Sequence, residues 1–95
     1  MEKIIRDKKY KVVEDYGETL STINLEEIVT DYYDNFDYIV GDWAYGKVRL
    51  KGFLNHKNKA VKSYNDYNNV KDYLKNSCAY GCKYFILEKV FEKNN

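Results

Sequence analysis

Three basic residues that alternate along a short stretch of the chain have the residue types and spacing best suited to ligand binding. They are Lys47, Arg49 and Lys51. On a β-strand this alternation places all three side chains on one face. Lysine and arginine gathered on one face attract anions, so the pattern predicts a binding surface for an anionic partner.

Aromatic residues near these lysines and this arginine indicate what such a partner could be. Tyr45 lies just before the basic residues. In a β-hairpin, Tyr38 and Phe53 would lie on the same face as the three basic side chains. Aromatic rings beside basic side chains bind single-stranded nucleic acids by stacking on the bases. RNA and an acidic protein surface are therefore both candidate partners. We call the three basic residues the basic stripe. The opposing interpretation is that nearby acidic residues neutralise this stripe and that most aromatic residues belong to the core.

The formal charge of +1 conceals segments of opposite charge. Residues 14–46 carry nine acidic residues and no basic one, whereas residues 47–65 carry six basic residues and no acidic one. The near-neutral total therefore does not exclude an anionic partner.

A second cluster, formed by Asp42, Trp43 and Arg49, is a candidate site, and the alternative is an ion pair beside a core tryptophan.

Candidates for catalysis are few. His56 lies in a lysine-rich loop without an adjacent carboxylate to orient it, so we expect an exposed bystander. Asp34, Asp37 and Asp42 lack the spacing of a calcium loop. We expect no catalytic residue, no metal site and no cofactor.

Cys78 and Cys82 are the only cysteines. Three residues separate them, whereas the redox motif has two, and a structural zinc site needs four ligands. Three interpretations stay open. The two residues can be a small apolar helix residue and a strand start, they can form a reversible disulfide across the turn at Gly81, or they can bind a zinc ion shared by two protomers.

The elements that must position these residues follow the order β-α-β-β-α-β. The segment KYKVVED predicts a first strand over about 8–15, and Asn24 begins a helix by capping it. The buried face of that helix would consist of Leu25, Ile28, Val29, Tyr32 and Phe36. The chain then continues with a hairpin and a polar loop. After the loop come a helix with Tyr67, Val70 and Leu74 and a last strand, CKYFILEKVF.

This order predicts one α+β domain over residues 1–95, with a mostly antiparallel sheet packed with two helices. A ferredoxin-like topology fits the order, and so does an α+β sheet with another strand order.

The loop length of the hairpin decides which residues face each other. If Tyr45 and Gly46 are the two loop residues, Asp42 lies opposite Arg49, which contributes a few tenths to about 1 kcal/mol. A three-residue loop would shift every pair by one. We favour the two-residue loop because it gathers apolar residues on one face.

The blocks DYIVGDWAYGKVRLKGF, residues 37–53, and YLKNSCAYGCKYFILEKV, residues 73–90, resemble the two hallmark blocks of the YutD-like family of small uncharacterised bacterial proteins. The resemblance covers nearly the whole chain. It implies a cytosolic bacterial α+β domain and carries no activity, cofactor or catalytic residue. Ala44 stands where a second glycine is common in the family, so the resemblance does not support a glycine-lined loop.

The N-terminal segment has neither the apolar core nor the small cleavage-site residues of a signal peptide, and no apolar run approaches the length of a membrane helix, so we expect a cytoplasmic protein without membrane contact. The leading hypothesis is a non-catalytic binding or regulatory module that contacts RNA or an acidic protein through the basic hairpin face. The alternative is a structural or assembly protein that forms a homodimer, and an enzyme is the least favoured class. Monomer and homodimer both stay open.

Overall fold

The computed structural model describes residues 1–77 and 82–90. Five strands in these residues form one sheet, and they are β1 (Glu2–Ile5), β2 (Lys8–Tyr16), β3 (Tyr38–Ala44), β4 (Lys47–Phe53) and β5 (Tyr84–Lys89). The two α-helices are α1 (Leu25–Ile28) and α2 (Val70–Ser77). Short 3-10 helices span Thr19–Ser21, Asp31–Asn35, Ser63–Asn65 and Tyr67–Asn69. The sheet order is β1-β2-β5-β3-β4, and all neighbouring strands are antiparallel.

This architecture confirms the α+β class and the antiparallel sheet packed with two helices. β5 lies between β2 and β3, so the connection through α1 is a split βαβ unit of the kind that a ferredoxin-like topology contains. The order of strands and helices along the chain differs from the predicted β-α-β-β-α-β by the additional strand β1. In addition, the two helices pack on opposite faces of the sheet.

Two apolar clusters cover the two faces, which we call the α1 face and the α2 face. The α1 face buries Ile39, Phe85 and Leu87 beneath Leu25 and Val29, together with Ile5, Tyr10 and Leu20. The α2 face buries Tyr38, Val40, Phe53 and Ile86 beneath Val70. Each large apolar side chain that is fully removed from water contributes about 1.5–3 kcal/mol to folding. β3 and β5 are therefore the strands that hold the two layers together.

The N-terminal strand β1 was not predicted from the sequence. Its turn to β2 consists of Arg6 and Asp7, which have φ values of 49° and 67°. Left-handed turns of this kind favour glycine, asparagine and aspartate, and the usual signals are Asn-Gly and Asp-Gly, so an Arg-Asp pair gives only a weak turn signal in the sequence. The hairpin instead forms because Ile5 and Tyr10 are buried against the α1 face.

The first helix is shorter than predicted. Asn24 does cap it, since its side-chain oxygen accepts the Glu26 N–H at 3.1 Å. However, Val29 adopts an extended conformation and ends the helix. Val29 and Thr30 are both β-branched, which weakens the helix, and the break lets Val29 enter the core while Tyr32 points outward, 65% exposed. The prediction that Tyr32 belongs to a buried face was therefore wrong.

Gly41 should not tolerate a side chain. A Cβ at this position would overlap the ring of Phe85, which is completely buried and cannot move aside. We expect Gly41→Ala to lower the free energy of unfolding by about 1–3 kcal/mol in urea denaturation. Gly46→Asn is the control, because Gly46 has open space around it and asparagine tolerates its φ of 76°. Equal losses in both variants would contradict this account of the packing.

Candidate binding surface on the β3–β4 hairpin

The hairpin has the register that the sequence analysis favoured. Tyr45 and Gly46 form its two-residue turn, with φ values of 54° and 76° that correspond to a type I′ turn. Asp42 lies opposite Arg49, and Trp43 lies opposite Val48. Lys47, Arg49 and Lys51 consequently share one face, as predicted, and this is the α2 face.

Asp42 and Arg49 form a two-pronged ion pair. Nε of Arg49 donates to Oδ1 of Asp42 at 3.1 Å, and Nη2 donates to Oδ2 at 2.8 Å. Asp42 is only 1% exposed, whereas the Arg49 side chain is 45% exposed. The hydrogen bonds to Asp42, and then its negative charge, raise the pKa of Arg49. A buried carboxylate is costly without a partner, so this pair is a structural requirement of the hairpin.

The two lysines of the stripe have different surroundings. Lys51 is half-buried, and its Nζ lies 4.7 Å from the ring centre of Tyr73 on α2 and 5.1 Å from that of Phe53. These cation–π contacts hold the ammonium group without cancelling its charge. Lys47 is exposed at the start of β4 and makes no ion pair with any residue in the described part of the chain. The face therefore keeps positive charge at both lysines.

The aromatic residues are arranged differently from the stacking hypothesis. Tyr45 is fully exposed at the turn. Tyr38 and Phe53 lie on the charged face as predicted, but they are buried beneath α2 and cannot stack on bases. Tyr38 also stacks on Tyr67, with ring centres 3.6 Å apart. Its pKa is raised to about 12 by burial and by the neighbouring Glu88.

Trp43 lies on the other side of the sheet from Asp42 and Arg49. It packs edge-on against Phe85, with ring centres 6.1 Å apart. The three residues therefore do not form one site, and the alternative interpretation of an ion pair next to a core tryptophan describes them better.

The acidic segment only partly neutralises the basic stripe. Asp42 compensates Arg49, as that interpretation expected. In contrast, Asp34 lies near β2, where its carboxylate is 3.8 Å from Lys8 Nζ and its backbone carbonyl accepts a hydrogen bond from Lys89. The lysines of the stripe are not the partners of this aspartate.

His56 has an orienting carboxylate, contrary to the sequence analysis. Its Nδ1 lies 2.6 Å from Oδ2 of Asp66, and Nδ1 donates this hydrogen bond because a carboxylate only accepts. The hydrogen bond from His56 lowers the pKa of Asp66, and the backbone N–H of Asn68 contributes to the same shift. The His56 side chain is 63% exposed, so the prediction of an exposed residue is correct. Within residues 1–77 and 82–90, no hydroxyl group is hydrogen-bonded to Nε2, the other ring nitrogen of His56.

Two residues of this region, Asp66 and Tyr73, were not predicted from the sequence. Asp66 follows His56 by ten positions, and a loop of that length has no characteristic spacing. Tyr73 could have been found, because it follows Val70 by three positions on a helix and therefore lies near the same face.

Cys78 lies outside the described residues, so the predictions for the pair with Cys82 are not tested. No group of three histidine, cysteine or acidic residues in the described part of the chain is placed to hold a metal ion. The helices of residues 1–77 and 82–90 are all too short or too polar to cross a membrane.

Fold and site together define a small α+β domain with an exposed basic hairpin. The chain belongs to the YutD-like family, because the family model described as "Putative antitoxin YutD-like" matches residues 4–88. A similar protein is "Putative antitoxin YutD" of Bacillus subtilis strain 168, which is 29% identical over 87 residues, 92% of this chain and 96% of the relative. The solution NMR structure of YutD from the same organism has a TM-score of 0.75 at 26% identity, covering 100% of this chain and 86% of that one.

Removing Arg49 should destabilise the hairpin more than removing the whole ion pair. Arg49→Met leaves the buried Asp42 carboxylate without its partner, and we expect Tm to fall by about 5 °C or more. The double variant Asp42→Leu with Arg49→Met should recover part of this loss, because no buried charge remains. Thermal unfolding followed by circular dichroism measures both values. A double variant that is less stable than Arg49→Met would contradict the account.

Acid should weaken the contact between Asp66 and His56. Because the pKa of Asp66 is lowered on folding, the stabilisation is present above about pH 4, the ordinary aspartate range, and is lost as pH falls through the lowered value. The free energy of unfolding of Asp66→Asn should therefore fall less steeply below about pH 4 than that of the parent chain. Asp72→Asn removes an exposed carboxylate on α2 and is the control. An unchanged acid dependence in Asp66→Asn would count against this contact.

Proposed function

We propose that this chain is a non-catalytic binding module whose β3–β4 hairpin contacts an acidic surface on a partner protein in the cytoplasm. The observation that carries the proposal is the positive face of the hairpin. Lys47 and Lys51 keep their charge there, and Tyr45 projects from the turn, fully exposed. A two-residue turn with a large amphipathic ring and nearby cations is well suited to protein recognition.

A protein partner fits the geometry better than RNA does. Binding to single-stranded nucleic acid relies on several exposed rings that stack on successive bases. Of the three rings suggested by the sequence, only Tyr45 is exposed, whereas Tyr38 and Phe53 are buried. Much of the guanidinium of Arg49 is also occupied by Asp42. Charge attraction therefore remains, but among residues 1–77 and 82–90 the rings predicted to share this face do not form a stacking platform.

The family supports a role in binding a partner. The relative from Bacillus subtilis bears the name "Putative antitoxin YutD", and an antitoxin-like name points to interaction with a partner. Interaction with a partner requires a recognition surface. The hairpin supplies such a surface.

The competing proposal is an assembly protein that forms a homodimer. The observation in its favour is that β1 and β4 are both at sheet edges, which present unpaired backbone groups. Light scattering over a range of protein concentrations distinguishes the two proposals. A monomeric mass at all concentrations removes the homodimer, and a dimer that buries the hairpin overturns the binding module.

Reversing the charge of Lys47 should weaken binding to an acidic probe. We expect a fluorescein-labelled oligo-glutamate peptide to bind the full chain at low salt, and Lys47→Glu to reduce its affinity by on the order of tenfold. Lys11→Glu is the matched control, because Lys11 is exposed on β2, three strands away from β4 in the sheet. Fluorescence anisotropy measures all three affinities.

Single-stranded oligouridine is the second probe in this experiment. Tighter binding of oligouridine than of the peptide would overturn a protein partner in favour of RNA. Equal effects of Lys47→Glu and Lys11→Glu would show that the hairpin is not the binding surface.

A further inference from the structure

β4 is an edge strand, and part of its backbone has no hydrogen-bonding partner among residues 1–77 and 82–90. The residues that flank a two-residue turn form a hydrogen-bonded pair, and such pairs alternate with pairs that are not hydrogen-bonded. Ala44 and Lys47 are the flanking pair. The backbone N–H and C=O groups of Val48, Leu50 and Gly52 therefore point away from β3. These groups make no backbone hydrogen bond to another part of the described chain.

Within the described residues, the backbone of the chain covers this edge at one end only. The N–H of Leu54 donates to the carbonyl of Asn65 at 2.7 Å, and the N–H of Tyr67 donates to the carbonyl of Leu54 at 2.9 Å. This segment therefore pairs with the chain just after β4 in a strand-like manner. The open part of the edge extends from Val48 to Gly52, which is enough for a short added strand.

The two sides of this open edge have different chemistry. The α2 side carries the basic stripe. On the α1 side, a groove of about 410 Å³ lies beside Leu50 and Gly52. Its other walls are mainly aromatic and comprise Tyr32, Tyr33, Phe36 and Tyr64, together with Lys51 and Asn65. Tyr32 and Tyr64 are 65% and 68% exposed, so large apolar surface is open to a ligand here.

We infer that an extended segment of the partner protein adds to the sheet as a strand beside β4. Acidic side chains of this segment face Lys47 and Lys51, and the alternate apolar side chains enter the aromatic groove. The period of two in a β-strand separates the two kinds of side chain onto the two sides. The inference rests on the proposed function and specifies how the acidic partner is recognised.

Charge complementarity favours such a partner over a second copy of this chain. Two copies of β4 paired antiparallel would bring Lys47, Arg49 and Lys51 close to the same residues of the other copy. Like charges on opposing strands are destabilising, and lysine on an edge strand is a common protection against this pairing. The negative charges of an acidic strand would instead be attracted to these basic side chains.

Amide hydrogen exchange of the full-length chain tests the inference directly. The probe is a synthetic peptide in which glutamate alternates with valine and phenylalanine, and its control has the same composition with the glutamates in one block. We expect the alternating peptide to slow exchange at Val48, Leu50 and Gly52 by at least about tenfold. Arg49 and Lys51 should change little, because their amides already face β3.

A proline at an outward-facing amide provides a second test. Leu50→Pro removes the edge N–H while leaving the hydrogen bonds to β3, and Leu50→Thr is the matched control that keeps the N–H. We expect the proline variant to bind the alternating peptide on the order of tenfold more weakly than the threonine variant. The exchange experiment on the parent chain does not depend on whether the proline variant folds.

The outcomes separate the two proposals. Equal binding of both peptides without slower exchange at the edge amides would overturn strand addition, while weakening by Lys47→Glu would still support the acidic partner. Failure of both peptides to bind would overturn both proposals. If exchange at the edge amides slows with rising protein concentration in the absence of peptide, the added strand comes from a second copy of this chain and not from a partner protein.

Discussion

The register of the β3–β4 hairpin is the constraint on which the rest of the structure depends. β3 is buried on both sides, so a shift by one residue would exchange the α1 and α2 faces along the strand. The I′ turn at Tyr45 and Gly46 prevents this shift, and the pairing of Asp42 with Arg49 reinforces it. The same register places the basic side chains on one side of β4 and Leu50 and Gly52 on the other. Fold stability and the chemistry of the candidate surface thus have a common origin.

Close packing against glycine makes this constraint strict. Gly41 admits the Phe85 ring on the α1 face, and Gly52 admits the ring of Phe36 on the same side. If β3 or β4 shifted by one residue, a side chain larger than glycine would lie against the ring of Phe85 or Phe36. Phe36 also ends the 3-10 helix that carries Tyr32 and Tyr33, so the contact with Gly52 positions the aromatic groove next to the open edge of β4. The groove therefore depends on the core packing directly beneath it.

The sequence predicts the parts of the fold that have local signals. The α+β class, the hairpin turn and its register follow from composition, alternation and the Tyr-Gly turn. β1 was missed because Arg6 and Asp7 adopt left-handed conformations with only a weak turn signal, and the first helix was predicted too long because its break at Val29 depends on tertiary packing. For the site, the stripe and the pair of Asp42 with Arg49 were predictable. The burial of Tyr38 and Phe53, and the contact of His56 with Asp66, depend on how distant segments pack.

The binding module proposed for this member of the YutD-like family needs no cleft, because its proposed recognition elements are an edge and a turn. The most direct test is site-specific photo-crosslinking in cells that naturally contain the chain, with a benzoyl-phenylalanine in place of Tyr45 and, as the control, in place of Lys11. The account predicts a discrete protein adduct from position 45 and none from position 11. An adduct with nucleic acid at position 45, or the same adducts from both positions, would contradict it.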